Sequence, residues 1–151
     1  MPGAGAAATI ALTIDETGMA RTAERKLEVA RRMFEIATGE YGLQPDALIF
    51  DALTFTLATG EAEFRRSGIE TIEGIRLIKR ELPDVLTSLG VSNVSFGLPA
   101  RSLLNRTFAV LAIEAGLDCA ILDPLDRELM AAIVAADTVL GRDARCRGYL
   151  R

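Results

Sequence analysis

Four polar side chains follow four short apolar runs of the sequence, and they are the first candidates for chemistry. They are Asp15, Asp51, Asn93 and Asp123. Carboxylates accept hydrogen bonds and an amide both donates and accepts them, so these residue types suit recognition of a polar small molecule. Aspartate and asparagine also form turns and helix caps. That structural interpretation is strongest for Asp15, because Gly18 follows closely, and for Asp123, which stands beside Pro124.

Asp51 and Asn93 are harder to explain as turn residues. Asp51 directly follows the apolar run ALIF and precedes the mostly apolar stretch Ala52–Leu57, so we expect a partly buried carboxylate that needs hydrogen-bond donors. Asn93 lies in the sequence SNVSFG and carries a donor and an acceptor without charge, which suits the edge of a heterocycle. The residues alone therefore predict a polar small-molecule site.

Composition excludes several other kinds of chemistry. The 151 residues include no histidine, which excludes Ser–His and Cys–His dyads and every metal site that contains histidine. The two cysteines, Cys119 and Cys146, lie too far apart for a metal motif, so we expect a reduced, cytoplasmic protein that binds no metal. A net charge of −4 argues against a nucleic-acid partner, and no apolar run is long enough to cross a membrane.

The elements that must position these residues alternate in type along the chain. The apolar runs predict four strands, at Ala6–Thr13, Ala47–Phe50, Thr87–Val91 and Cys119–Leu122. Helical periodicity follows each run, in a first helix from Thr22 to a C-cap at Gly42, a second carrying Ile72 to Leu82, a third at Arg101–Glu114 and a fourth capped by Asp126.

This order predicts an α/β fold of four successive βα units whose parallel strands are covered by helices. Residues 1–141 form one unit, and 142–151 form a basic tail without a periodic pattern. Four units fit a small doubly wound sheet or half of an eight-stranded βα barrel, whose usual length is about 250 residues. Periodicity leaves both open, and in either case ligands gather at the carboxyl ends of the strands.

One stretch resembles a known family. The sequence GVSNVSFGLPARSLLN (Gly90–Asn105) is similar to the pterin-binding methyltransferases, which include the folate-binding module of cobalamin-dependent methionine synthase and the methyltetrahydrofolate:corrinoid methyltransferases. Other segments resemble the same family in the same order: ALTIDETGMARTAERK (Ala11–Lys26), LIFDALTFTLATG (Leu48–Gly60), RSGIETIEGIRLIKRELP (Arg66–Pro83) and AGLDCAILDPLDRELMAAI (Ala115–Ile133). The resemblance implies the carboxyl-terminal half of a TIM (βα)8 barrel.

The resemblance also implies roles for three residues. Asp51 matches an aspartate that accepts hydrogen bonds from the aminopyrimidine edge of the pterin, and Asn93 matches a catalytic asparagine beside the pterin N5. Arg101 matches an arginine at the folate site that could meet an anionic part of the substrate, although a solvated residue at a helix start is an equally good interpretation. Methyltetrahydrofolate is then the substrate, and a corrinoid protein or domain carries the cobalamin that receives the methyl group.

The family's other pterin contacts lie on earlier strands, which have no counterpart in these residues. We therefore expect the isolated chain to bind folate weakly or not at all, and to form a homodimer or to pair with a chain that supplies the first half of the barrel. Two alternatives stay open. One is a half-barrel without catalytic activity, and the other is an enzyme similar to dihydropteroate synthase.

Overall fold

A computed structural model describes residues 7–150 and contains one main parallel sheet, one small hairpin and four α-helices in that range. The main sheet consists of Thr9–Leu12 (β1), Leu48–Asp51 (β4), Leu86–Gly90 (β5) and Cys119–Ile121 (β6). The hairpin pairs Ile14–Asp15 (β2) with Gly18–Met19 (β3). The helices are Ala23–Gly39 (α1), Ser67–Glu81 (α2), Arg101–Ala115 (α3) and Arg127–Val139 (α4).

The main sheet confirms the predicted α/β class. Its spatial order is β1-β4-β5-β6, every neighbouring pair is parallel, and a helix follows each strand. Strand order therefore follows chain order across the whole sheet. A doubly wound sheet reverses its order at a switch point, whereas a βα barrel adds strands successively, so this topology is that of a barrel segment.

The boundaries of the elements differ from the sequence expectation in detail. The first strand begins at Thr9, and Ala6, where we expected it to start, lies outside the described residues. The regular part of α1 ends at Gly39, three residues before the expected stop at Gly42. Gly42 still terminates the helical turn, because it adopts a φ of 66°, in the left-handed region where glycine commonly ends helices, and the Leu43 N–H donates to the Ala37 carbonyl at 3.0 Å across it.

Caps are found at three helix ends, including the predicted cap of α4 at Asp126. Thr22 accepts a hydrogen bond from the Arg25 amide at the start of α1. The Asp126 carboxylate accepts the Leu129 amide at 3.0 Å at the start of α4. Gly116 ends α3 at a φ of 112°. Each cap satisfies backbone groups that the helix itself leaves unpaired.

The sheet has two different faces. Helices cover one face, where Ala11, Phe50 and Leu89 are buried against apolar residues of the helices. Because side chains alternate along a strand, their neighbours point to the other face. There Ile10 and Ile121 are 56% and 61% exposed, so an apolar surface of this sheet lies open.

Two further features were not anticipated. The β2–β3 hairpin occupies a stretch that we expected to be a loop, because strands of two residues give no periodic signal. Leu111, within the third predicted helix, is exposed because α3 packs through Ala109, Ala112 and Ile113.

The basic tail contains a short 3-10 turn at Ala144–Cys146, and Arg151 lies outside the described residues. Within residues 7–150, no helix combines the length and apolarity needed to cross a bilayer.

Candidate functional site

Asp51 is a buried carboxylate at the carboxyl end of β4, as the sequence predicts. The residue is 6% exposed. One carboxylate oxygen, Oδ1, accepts the backbone N–H of Leu53 at 2.8 Å, and Oδ2 accepts the Ser88 hydroxyl at 3.3 Å. These two bonds leave further lone pairs of the carboxylate available, because an ionised carboxyl group can accept about four hydrogen bonds. Asp51 therefore retains capacity for donors of a ligand.

The protonation of Asp51 is set by opposing influences. Burial raises the pKa of this carboxyl above its ordinary value, because a charged group loses hydration in the interior. The Leu53 amide, the Ser88 hydroxyl and the charge of Lys26 act in the opposite direction. The result is a carboxylate whose hydrogen-bonding partners support its charge in a poorly hydrated position.

Asn93 reaches the same face of the sheet from the neighbouring strand. It lies in a 3-10 turn, Val91–Ser95, directly after β5. Its amide nitrogen would be 3.2 Å from a Cβ placed on Gly90. Gly90 is two residues from Ser88 and so projects to the face that carries the Ser88 and Asp51 side chains. The Asn93 amide is exposed, and this edge of the sheet therefore presents a carboxylate, a hydroxyl and an amide.

The loops that carry these residues also touch each other. The Thr56 hydroxyl, in the loop after β4, donates a hydrogen bond to the backbone carbonyl of Phe96, in the loop after β5. A Cβ placed on Gly97 would lie 3.4 Å from the Ala58 methyl group, so the two loops pack closely there. The loop that follows Asp51 and the loop that contains Asn93 are thus in direct contact at the carboxyl edge.

Arg101 supports the turn that contains Asn93. Its Nε donates to the Ser95 hydroxyl at 3.1 Å and one terminal nitrogen donates to the Ser92 carbonyl at 3.0 Å. Its guanidinium also stacks 5.7 Å from the centre of the Phe96 ring. The Ser95 hydroxyl in turn donates to Asn105 Oδ1 at 2.7 Å. The side chain is therefore engaged with its own chain and holds the turn after β5 against α3.

Asp15 and Asp123 act as turn residues, in line with the structural interpretation of the sequence. Asp15 accepts both the backbone N–H and the hydroxyl of Thr17, and it forms an ion pair with Arg25. The hydrogen bonds from Thr17 lower the pKa of Asp15 below its ordinary value. Asp123 accepts the Leu125 amide at 2.9 Å. Both carboxylates have partners that explain their presence.

One important residue was missed from the sequence. Lys26, on α1, is 1% exposed, and its ammonium donates to the carbonyl oxygens of Ala20, Ala52 and Leu53 at 2.8, 2.7 and 3.0 Å. Burial lowers the pKa of Lys26 to about 8, although Asp51 and Glu70 oppose this change. The available signal was its position on the wheel of α1, because Lys26 falls on the same buried stripe as Ala23 and Ala30.

A cleft of about 470 Å³ opens beside this surface, between the turn after β5 and the loop after β6. Its walls include Ser92, Arg101, Asn105 and Asp123, whereas Asp51 and Asn93 do not line it. Across the part of the chain that the structure describes, no group of three or more His, Cys, Asp or Glu side chains is arranged to hold a metal ion. The chemistry available at this edge is hydrogen bonding by a carboxylate, hydroxyls and an amide.

Comparison with known sequences gives this geometry a context. A profile of the family described as "Pterin binding enzyme" matches residues 5–123. The methionine synthases of Mycobacterium tuberculosis and Mycobacterium leprae are 55% and 53% identical over 117 residues, which is 76% of this chain and 10% of each of those proteins. The methylcorrinoid:tetrahydrofolate methyltransferase of Eubacterium limosum is 41% identical over 140 residues, which is 93% of this chain and 50% of that protein. The chain thus spans half or less of the length of these relatives.

Proposed function

Because this chain belongs to the family of pterin-binding enzymes, we propose that its carboxyl edge binds the pterin ring of methyltetrahydrofolate for methyl transfer to a corrinoid. The observation that carries the proposal is the buried carboxylate of Asp51, which shares one face of the sheet with Ser88 and stands at the edge where Asn93 is exposed. The names of the relatives, methionine synthase and methylcorrinoid:tetrahydrofolate methyltransferase, support the same chemistry.

Asp51 recognises the aminopyrimidine edge of the pterin. That edge presents two N–H donors side by side, which a carboxylate accepts as a bidentate pair. The low exposure of Asp51 strengthens these hydrogen bonds, because competing water is excluded. The Leu53 amide fixes one carboxylate oxygen, so the group is oriented before the ligand arrives.

Asn93 acts on N5 of the bound folate. A tertiary amine is a poor leaving group until it is protonated, so the barrier falls when a hydrogen bond becomes stronger as N5 gains its proton. The exposed amide of Asn93 can donate to neutral N5, and its carbonyl oxygen can accept from protonated N5. This function requires no histidine, in keeping with a sequence that contains none.

The corrinoid belongs to a partner protein or domain, and it supplies the reduced cobalt centre that takes the methyl group. The residues of this chain fit that arrangement because Asn93 and Arg101 are exposed at the carboxyl edge, where a second protein can approach. No residue of this chain is assigned to the corrinoid itself. The contribution of the chain is to bind and orient the folate and to hold a hydrogen bond at N5.

The open face of the sheet supports a site that is completed by further protein. Ile10, Leu12 and Ile121 are exposed there beside Asp51 and Ser88. Apolar sheet surface of this kind is normally covered in a folded protein. We propose that a second set of strands covers it, supplied by a second copy of the chain or by a complementary half-barrel. A chain of these 151 residues that light scattering shows to be a monodisperse monomer at micromolar concentration would contradict self-association.

The experiment for the function is calorimetric titration of methyltetrahydrofolate into the assembled protein. We expect Asp51→Ala to abolish binding and Asn93→Ala to weaken it. Asp123→Ala is the matched control, because it removes a carboxylate at the same edge that serves a turn. The isolated 151 residues should bind weakly or not at all. Unchanged affinity in both the Asp51 and the Asn93 variants would refute the assignment, and titration with dihydropterin diphosphate distinguishes a synthase-like enzyme.

A further inference from the structure

We propose that Lys26 is the positioning residue for Asp51: its ammonium holds the backbone after β4 in the conformation that presents the carboxylate to a ligand. Neither the family profile nor the names of the relatives give this residue a function. The proposal concerns the site described above, and only its consequence for ligand binding rests on the proposed function.

All three N–H groups of the Lys26 ammonium donate hydrogen bonds to backbone carbonyls. It donates to Ala20, Ala52 and Leu53, which accounts for the three N–H groups of a lysine. A buried ammonium without a directly bonded carboxylate is unfavourable in the interior, so it persists only where its hydrogen bonds are fully made. Two of its three acceptors are the residues that directly follow Asp51 in the chain.

The segment that Lys26 holds is strained. Leu53 has a φ of 49°, in the left-handed region that residues with a side chain rarely adopt. Such a conformation persists only where surrounding contacts impose it, and it is common at functional sites. The Leu53 carbonyl accepts hydrogen bonds from both the Lys26 ammonium and the Thr71 hydroxyl, at 3.0 and 2.9 Å. These two donors impose the unusual turn.

The same peptide segment connects Lys26 to Asp51. While the Leu53 carbonyl is held by Lys26, the Leu53 amide donates to Asp51 Oδ1 at 2.8 Å. Because Lys26 fixes the Leu53 peptide and Leu53 in turn binds Asp51, the position of the ammonium determines the orientation of the carboxylate. In addition, the positive charge of Lys26 lowers the pKa of Asp51 and so favours its ionised form.

A glycine in the neighbouring helix α2 leaves space for the Lys26 side chain. Gly74 lies within α2, and a Cβ placed on it would be only 2.7 Å from Lys26 Cδ and 3.4 Å from Lys26 Cβ. A glycine inside a helix reduces its stability by roughly 0.5–1 kcal/mol relative to alanine. The close approach explains why glycine stands here: the aliphatic stem of Lys26 passes through the space that a side chain would fill.

The test measures Asp51 directly, without a ligand. In the full-length protein, carbon NMR of the Asp51 carboxyl group and the amide resonance of Leu53 are compared among the wild type, Lys26→Met and Lys79→Met. Lys79 is the matched control, because it also donates to a strand-end carbonyl, that of Val85, and its stem also passes over a glycine, Gly116. Lys79 does not bond Asp51 or the residues after it: its ammonium donates to the Asp118 carboxylate and to the carbonyl just before β5.

We expect Lys26→Met to raise the pKa of Asp51 and to shift the Leu53 amide out of its hydrogen-bonded position, whereas Lys79→Met changes neither. A folded Lys26→Met protein with both signals unchanged would overturn the proposal. If this variant does not fold, a pH titration of the wild-type protein tests the proposal instead. The Asp51 carboxyl and Leu53 amide signals should then move together with the Lys26 ammonium signal as it titrates, and independence of these signals would overturn the proposal. Two charged groups influence the pKa of Lys26 in this titration: Asp51 on β4 and Glu70 on α2 both raise it.

Calorimetry with methyltetrahydrofolate separates this proposal from the proposed function. We expect Lys26→Met to weaken binding by about ten- to a hundredfold, by analogy with the loss that follows removal of a residue that orients a metal ligand. Coupled NMR signals in a wild-type protein that binds no folate would support the positioning role and refute the function. Uncoupled signals in a protein that binds folate through Asp51 would overturn the positioning role and leave the function intact.

Discussion

The burial of Lys26 predicts an unusual dependence of stability on pH. The folded protein releases the Lys26 proton near pH 8, whereas the unfolded chain holds it to about pH 10.5. Between these values the unfolded state binds more protons than the folded state, so the free energy of unfolding rises with pH. The buried charge of Lys26 therefore lowers the free energy of unfolding at neutral pH, and this cost disappears in alkaline solution, where Lys26 is neutral.

The magnitude follows from the difference between the two pKa values. Each pKa unit corresponds to about 1.4 kcal/mol, so the contribution of Lys26 to the free energy of unfolding should rise by about 3 kcal/mol between pH 7 and pH 10.5. Lys26 is 1% exposed, so solvent does little to screen this effect. The neutral amine retains two N–H donors for its three carbonyl partners, and the fold can keep most of these contacts.

The assay is urea unfolding of the wild type, Lys26→Met and Lys79→Met at pH 7 and pH 10.5. The other residues are common to the wild type and each variant, so their effect on stability cancels when the free energies of unfolding are subtracted. The advantage of the wild type over Lys26→Met should grow by about 3 kcal/mol at the higher pH, whereas Lys79→Met should follow the wild type. A difference that is constant, or that shrinks as the pH rises, would refute the reasoning about burial.

Three other predictions concern the same site. Asp51→Asn should raise the melting temperature at pH 7 by a few degrees, because it removes a charge whose burial raises its pKa, and should weaken folate binding; calorimetry measures both. Gly74→Ala should destabilise the fold by about 1–3 kcal/mol because its methyl group meets the Lys26 stem, whereas Gly39→Ala, which meets nothing within 4 Å, should stabilise it; urea unfolding compares them. Arg101→Ala should weaken methyltetrahydrofolate binding about tenfold by loosening the turn of Asn93, and Arg106→Ala on the same helix should leave the affinity unchanged.

Local pattern was sufficient to predict most of the elements. Apolar runs bounded by polar residues located the four strands of the main sheet, because buried parallel strands are short and continuously apolar. The change to a helical period located the start of α1 at Thr22, and capping chemistry located the start of α4 at Asp126. The burial of Asp51 also followed from its place between two apolar segments.

Long-range contacts explain what the sequence did not reveal. The importance of Lys26 depends on carbonyls 26 and 27 residues away along the chain, which no helical pattern contains. The contribution of Ser88 likewise arises from the register that sets it opposite Asp51 on the neighbouring strand. Arg101 could be placed near the site by resemblance, but its hydrogen bonds to the turn after β5 required the folded arrangement.

We propose above all that Asp51 and Asn93 together form the surface that meets the pterin. Side-chain NMR of the assembled protein during titration with methyltetrahydrofolate tests this most directly. We predict that the Asp51 carboxyl and Asn93 amide signals shift in proportion to bound ligand, while the Asp15 carboxyl, which is occupied by Thr17 and Arg25, does not. Shifts confined to the cleft between Arg101 and Asp123, with Asp51 and Asn93 unchanged, would contradict the claim.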